Sequence, residues 1–392
     1  MKETIYLDNN ATTRVAPEVF DAMRPYLTEH YGNPSSAHAL GRDMRLAVER
    51  AREQVAALLG AAETNEIVFT SCGSESDNWA IGGFLEQNPT RRHIITTRVE
   101  HEAVRNLCEH LAEIGCEVTW LEVDRSGELD LEDLRRALRR DTGIVSVMLA
   151  NNETGVMFPI EEIGKIVRDN SDGVFHVDGV QAVGKIPINL KDSSVDLFAL
   201  SGHKFHAPQG IGALYLRSGV ILPPFIIGGG QESGRRGGTS AVPNIVGLGA
   251  ACELAKTFDS HERIEQLRNR LEDKILSEIP NSRLNGTPDP AKRLPNTSNI
   301  SFQFVEGENI MAHLDEAGIC VSTGSACHSS THEASPTLRA MNVPYSAAQG
   351  SIRFSLGRYN TEQEIDYLLG ILPGIIDRLV EMSPYDKELK AL

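Results

Sequence analysis

Val195-Asp196-Leu197-Phe198-Ala199-Leu200-Ser201-Gly202-His203-Lys204 decides how the rest of this chain is read. An apolar run of strand length stops at Ser201 and hands a serine, a histidine and a lysine to the strand's end. About one βα-unit earlier, Val174-Phe175-His176-Val177-Asp178 delivers a carboxylate in the same way, followed by Gly179-Val180-Gln181. Outward from these two runs, extended segments at 66–70, 93–97, 117–123, 143–150 and 210–216 alternate with helical ones at 43–59, 102–114, 130–140 and 160–169. The first of those helices stops at Gly60. Strands alternating with helices predict an α/β fold with a mostly parallel sheet covered on both faces. Such sheets bind ligands at the carboxyl ends of their strands, where Asp178 and Ser201 to Lys204 fall.

Beyond the Gly-rich stretch 228–238 the pattern changes to a long amphipathic helix near 261–278, a strand near 298–304, a helix near 309–317, a strand near 351–356 and a closing helix near 361–380. This predicts a large domain over 15–260 and a smaller α+β domain made of 1–14 and 261–392. The polar tail from Ser383 is expected to be poorly ordered or to act as a contact arm.

The 392 residues are 41% hydrophobic and 23% charged, an ordinary globular composition. A formal net charge of −16 supplies no basic footprint for nucleic acid, whose phosphates need one. Six cysteines, at 72, 108, 116, 252, 320 and 327, occur singly with no CxxC pair, so neither a disulfide framework, a zinc ribbon nor a thioredoxin motif is expected. There is no apolar signal core at the start and no run of membrane-span length, so a cytoplasmic protein without a membrane partner is expected.

A lysine and an acid delivered to one sheet edge suit pyridoxal phosphate. Lys204 would form the Schiff base, and Asp178 would keep the pyridine nitrogen protonated so that the ring acts as an electron sink. Taken alone, Lys204 reads as a solvated lysine after a strand; Ser201, His203, Asp178 and Gln181 around it turn the reading. Phe69-Thr70-Ser71-Cys72-Gly73-Ser74-Glu75 is a strand, a small-residue turn and a helix start. Its exposed N–H groups and helix dipole make an anion site, with Gly73 allowing close approach and Ser74 adding a hydroxyl; a plain capping turn is the alternative. Gly179 to Lys185 has the glycine and lysine spacing of a Walker A loop, but Ile186 stands where a Ser or Thr must bind magnesium, so the match is set aside as chance.

His101, just past a strand end, is placed either to cap a helix or to stack on a planar ring and move protons. Cys327, in Ser322-Thr323-Gly324-Ser325-Ala326-Cys327-His328-Ser329-Ser330, lies in a segment without apolar periodicity that reads as a mobile loop. Its thiol is a candidate nucleophile, whereas Cys252 and Cys320 read as inert buried thiols. A metal cluster of Cys327, His328 and His332 is the weaker reading, because no paired scaffold supports it. Arg353, a charge inside the apolar strand Ser351-Ile352-Arg353-Phe354-Ser355, is either paired or set to grip a substrate carboxylate with two parallel hydrogen bonds.

These residues resemble the pyridoxal-phosphate cysteine desulfurases of the NifS/IscS type. The resemblance runs through Tyr6-Leu7-Asp8-Asn9-Asn10-Ala11-Thr12-Thr13, Tyr31-Gly32-Asn33-Pro34, Glu75-Ser76-Asp77-Asn78, Asn151-Asn152-Glu153-Thr154-Gly155, the Asp178 and Lys204 runs, Gly228 to Thr239, Gly324-Ser325-Ala326-Cys327 and Ile352 to Arg358. It implies an aspartate-aminotransferase-like large domain with a seven-stranded sheet. It also implies roles. Lys204 carries the cofactor and moves protons, Asp178 pairs with the pyridine nitrogen, and His101 stacks on the ring. Gln181 and Asn152 bond the phenolic oxygen and the substrate. Gly73, Ser74, Ser201 and His203 hold the phosphate, with Thr239 reaching it from the partner subunit of a homodimer. Arg353 binds the carboxylate of L-cysteine. The implied reaction turns L-cysteine into L-alanine and leaves a persulfide on Cys327 for an iron–sulfur scaffold protein, with Cys327 a candidate transient cluster ligand and no resident metal.

Four residues depart from the family pattern: Cys72 stands where glycine is frequent, Gln209 where lysine is, and His328 and His332 are unusual in the loop. Two other enzymes share the cofactor residues, a selenocysteine lyase and an aminotransferase, and the latter has no need of the Cys327 thiol. A non-catalytic sulfur-carrier or assembly platform is the reading from another class. Lys204, Asp178, His101 and Arg353 together argue against it.

Overall fold

In the computed structural model residues 4–256, 261–323 and 334–383 are described. A short strand β1 (Ile5–Tyr6) and helix α1 (Pro17–Thr28) lead into the long helix α2 (Ala39–Leu59). Strands and helices then alternate through β2 (Ile67–Thr70), α3 (Gly73–Gln87), β3 (His93–Thr97), α4 (Glu102–Glu113), β4 (Glu117–Leu121), α5 (Leu131–Ala137), β5 (Thr142–Ser146), α6 (Ile160–Asn170), β6 (Val174–Asp178), β7 (Leu197–Ser201) and β8 (Gly212–Leu216). Seven of these strands make one sheet in the order β2-β8-β7-β6-β5-β3-β4. Only β8 runs against its neighbours; the other pairings are parallel.

The strands read as near-continuous apolar runs because both faces of the sheet are covered. Neighbouring residues point to opposite faces and enter different cores. Phe69, Ile95, Val145, Phe198 and Tyr215 join one, while Val68, Ile94, Ile144, Leu197 and Leu214 join the other.

Several elements depart from expectation. The strand expected over 143–150 is regular only to Ser146: beyond it Val147 and Leu149 N–H still donate to the His176 and Asp178 carbonyls of β6, but Met148 N–H turns to the Glu100 carboxylate (3.1 Å) instead of a strand neighbour. Helix α2 starts four residues before Asp43, where the His38 imidazole accepts from Gly41 N–H. Helix α1 and helix α7 (Val242–Lys256) are absent from the sequence expectations. Helix α7 is apolar on several sides and shows no amphipathic stripe. Two of its glycines let it sit tightly: a Cβ on Gly247 would lie 2.6 Å from the Met23 sulfur, and one on Gly249 would lie 2.9 Å from Ala51 Cα.

The rest of the chain is α8 (His261–Glu278), β9 (Ser282–Leu284), β10 (Thr297–Phe302), α9 (Gly307–Glu316), β11 (Ile319–Cys320), β12 (Ser322–Thr323), α10 (Pro336–Ala340), α11 (Tyr345–Gln349), β13 (Ser351–Ser355) and α12 (Glu362–Met382). Strands β12-β13-β10-β9 form an antiparallel sheet. The N-terminus returns to this part: β1 pairs in parallel with β11, and Leu7 sits in the same core as Ile264, Phe354 and Leu372. A reciprocal capping box of Thr361 and Glu364 starts α12. Because residues 4–7 belong here, residues 8–13 must cross to the carboxyl ends of the large sheet.

Candidate active site

Five segments that follow parallel strands converge at one end of the large sheet. Asp178 and Ser201 are the last residues of β6 and β7, and His203 and Lys204 follow in a one-turn 3-10 helix. Gly73 and Ser74 open α3 just after β2, His101 immediately precedes α4, and Asn152 lies on the loop after β5. With Gln181 they line one cavity of about 230 Å3. Helix α3 has fifteen residues, and its N-cap Cys72 makes no side-chain capping bond, so the first-turn N–H groups face the cavity uncapped. Glu75 instead accepts from Ser71 N–H (2.8 Å) and is held by Arg236 (2.8 and 3.1 Å). Cys72 also lines the cavity.

The electrostatics are those of a desolvated site. Burial pushes the Asp178 carboxyl up, against the opposing pull of His101, of the Val180 N–H (2.9 Å) and of Lys204. Behind it His176 Nε2 lies 3.4 Å from Asp77 Oδ1, and both are buried. Burial drives His176 down to about 3, and burial followed by the charges of Asp178 and Glu100 pushes Asp77 well up. His101 both caps a helix and borders the cavity. Its Nδ1 accepts from Ala103 N–H (3.1 Å), capping α4, while the ring borders the cavity; burial lowers its pKa. His203 is pushed down to about 4 by burial and by Lys204, and bonds Thr12 Oγ1 (3.0 Å). Lys204 Nζ donates to the carbonyls of Asn10 (2.7 Å) and Ala11 (2.9 Å).

This donor set fits pyridoxal phosphate: an amine at one end, a buried carboxylate beneath, an imidazole at the side, and a helix N-terminus with two serine hydroxyls for a phosphate. Gly179 keeps the floor in place. A Cβ there would lie 1.8 Å from Phe198 Cζ. Gly179→Ala is therefore expected to cost about 1–3 kcal/mol of stability, as overpacked cores do, and to weaken cofactor retention by moving Asp178. A thermal melt of the variant with and without the cofactor checks both.

A second cavity of about 280 Å3 adjoins the first and shares His101, Asn152, Gln181 and Lys204 with it. Arg353 enters from β13 and is paired, as one of the two sequence readings had it. Its guanidinium donates to Asp8 Oδ1 (2.7 Å) and to the Asn152 carbonyl (3.1 Å), and its buried Nε has no partner among the described residues. Glu100 also lines this cavity, its carboxyl raised to about 8 by burial. Two stems border the cavity as well, Ser322-Thr323 on one side and Pro336-Thr337 on the other. Cys327, His328 and His332, between those stems, lie outside the described residues, as does the tail beyond Ser383.

Thr239 is exposed and does not line the cavity of its own chain. The sequence reading attached no role to Asn10, yet this residue organises the site. Its carbonyl accepts from Lys204 and Gln181, its Oδ1 from Lys185 and Asn296, and its Nδ2 donates to Thr297 Oγ1. The available signal was an Asn9-Asn10 pair in a segment with no periodicity of its own.

The family model for aminotransferase class-V matches residues 5–368. A cysteine desulfurase of Trichormus azollae is 55% identical over 386 residues, covering 98% of this chain and 96% of that protein. The cysteine desulfurase NifS of Azotobacter vinelandii is 51% identical over 383 residues, covering 97% and 94%. Among solved structures, a NifS-like protein superposes with a TM-score of 0.90 at 40% identity, covering 96% of this chain and 100% of that one. SspA in complex with cysteine superposes with a TM-score of 0.81 at 36% identity, covering 91% and 100%.

Proposed function

The chain belongs to the aminotransferase class-V family, and on that premise we infer that it is a pyridoxal-phosphate-dependent cysteine desulfurase, which converts L-cysteine to L-alanine by way of a persulfide on Cys327. One observation carries the reading. The cavity that fits the cofactor opens into a second one bordered by Arg353 and by both stems of the segment that contains Cys327. An aminotransferase gives no reason for a thiol there.

The bound cofactor supplies an electron sink for the substrate's Cα. The chain's residues do the rest. Asp178 holds positive charge at the pyridine nitrogen, and Gly73, Ser74, Ser201, His203 and the α3 N-terminus anchor the phosphate. Gln181 and Asn152 are placed for the phenolic oxygen and the substrate. Arg353, oriented by Asp8, takes the substrate carboxylate with its remaining N–H donors. Lys204, in reach of both cavities, moves protons at Cα, with the half-buried His101 imidazole beside it. The Cys327 thiolate attacks the substrate sulfur: an S–S bond forms, the Cβ–S bond breaks, and its electron pair stays with the carbon skeleton that is protonated to alanine.

The protein acts as a homodimer in the cytoplasm, and an iron–sulfur scaffold protein accepts the sulfur. The dimer is supported by the surface around Thr239. Ile227 is 90% exposed, Phe225 and Ile226 lie beside it, and Gly237 N–H ties to the Ile226 carbonyl (2.8 Å). Burying this apolar strip against a second copy would place the exposed Thr239 at the interface, where it is free to serve the partner's site rather than its own.

The test is alanine formation from L-cysteine with a reductant, measured on purified protein loaded with pyridoxal phosphate. Alanine and sulfide in equal amounts are expected. A yellow, loaded protein that makes no alanine would reject the desulfurase reading while keeping the cofactor site.

A further inference from the structure

Lys185, the lysine of the chance Walker-like match, lies beside the site with no part in the reaction described above. The turn after Asp178 folds back so that Lys185 comes over Gln181, four residues earlier. Its Nζ donates to Gln181 Oε1 (2.8 Å) and to Asn10 Oδ1 (3.0 Å). The Gln181 Nε2 in turn donates to the Asn10 carbonyl (2.9 Å), which also accepts from Lys204 (2.7 Å).

These partners leave the Gln181 amide one orientation. An ammonium facing Oε1 only donates and the Asn10 carbonyl facing Nε2 only accepts, so a flipped amide would set donor against donor and oxygen against oxygen; with the neutral amine, whose lone pair can accept, the carbonyl still opposes the flip. The carbonyl end is turned to Lys185, and the second N–H of Nε2 remains for the cavity that Gln181 lines. The clamp does not depend on the charge of Lys185. Burial, then the charges of Lys204 and Arg353, push its pKa well below the usual lysine range, and two N–H bonds serve both oxygens in either protonation state.

We propose that Lys185 is a positioning residue of the cofactor site: by clamping Gln181 Oε1 and Asn10 Oδ1 it presents an N–H, never a carbonyl, to the cofactor's phenolic oxygen, and holds the Asn10 carbonyl on which Lys204 rests. The inference rests on the pyridoxal-phosphate reading of the cavity. An N–H at the phenolic oxygen favours the anionic oxygen and lowers the pH at which the proton between it and the Lys204-linked nitrogen leaves. The charged and titratable groups that also act here are Arg353 and His206 beside Lys185, and Asp178, His101 and His203 beside Lys204. All stay in place in the variants below.

The experiment is a pH titration of the visible absorbance of the cofactor-loaded protein, for wild type, Lys185→Met, Lys185→Arg, Gln181→Ala and the double variant Lys185→Met/Gln181→Ala. Lys185→Met is expected to move the midpoint up by about one pH unit, the scale of a lost donor to the charged form. Lys185→Arg, which keeps donors for both oxygens, should return most of that shift. In the Gln181→Ala background Lys185→Met should add much less, because its effect on the phenolic oxygen passes through Gln181 and only the Asn10 contact remains. An unmoved midpoint in loaded Lys185→Met, or an undiminished shift in the absence of Gln181, overturns the proposal. If Lys185→Met does not load, Lys185→Arg decides: a midpoint near wild type supports the clamp, and a shift of about a full unit with donors retained overturns it. A wild type that takes up pyridoxal phosphate without any visible band would end the cofactor reading itself, and this inference with it.

Discussion

Lys204→Ala is expected to abolish alanine formation, by about 10^3-fold or more, and to leave the protein unable to hold the cofactor covalently. The size of the effect follows from how little else at the site can replace the amine. Among the described residues the other lysine bordering this region is Lys185, and its Nζ is engaged with Asn10 and Gln181 rather than placed on the cavity wall. His101 spends Nδ1 on the α4 cap and keeps only one ring nitrogen for chemistry. The variant should still fold, since Lys204 donates to two backbone carbonyls that water can satisfy. Borohydride reduction followed by intact-mass measurement gives the check. The cofactor's mass should add to the wild type and not to Lys204→Ala; addition to both would place the covalent link elsewhere.

Cys327→Ala is expected to stop sulfur removal to a similar degree, about 10^3-fold or more, while leaving cofactor loading and its visible spectrum intact. The split between the two readouts is the informative part, because Lys204→Ala loses both. The argument is one of elimination over the other thiols. Cys108 is pushed up to about 12 by burial in the core, and Cys252 is raised by burial as well. Cys320 is raised by burial, with Asp315 and Asp8 adding to it, and borders neither cavity. Cys116 lies just before β4, at the end of the sheet opposite the site. Cys72 sits at the phosphate end. Cys327 stands four residues beyond Thr323, which lines the substrate cavity. Full alanine formation by Cys327→Ala would refute the persulfide route, and Cys72→Ala would then be the next variant to assay.

Much of the fold was legible because its strands are buried on both faces. A run such as Val195 to Leu200 needs no partner in view to be recognised, since only a covered strand tolerates so little polarity. The site residues were legible for a related reason. Ser201, His203 and Lys204, or Asp178 and Gln181, interrupt an apolar run at the one place where a parallel sheet offers its ligands a crevice. The elements left out were those without such a contrast. Helix α7 is apolar on several sides, and α1 begins at a proline and carries a second one, Pro25, inside it.

The sequence by itself determined the sheet, the chemistry of the residues at its carboxyl edge and the family to which they belong, because periodicity and the ends of runs are local properties of the chain. Only the tertiary structure decided what those residues touch. Asn10 joins Gln181 and Lys204 across 171 and 194 positions, Asp8 pairs with Arg353 across 345, and Lys185 becomes part of the site only because both it and Gln181 close on Asn10. Such contacts exist once β1 has docked beside β11 and carried residues 8–13 over the sheet, and no local window of sequence contains that event.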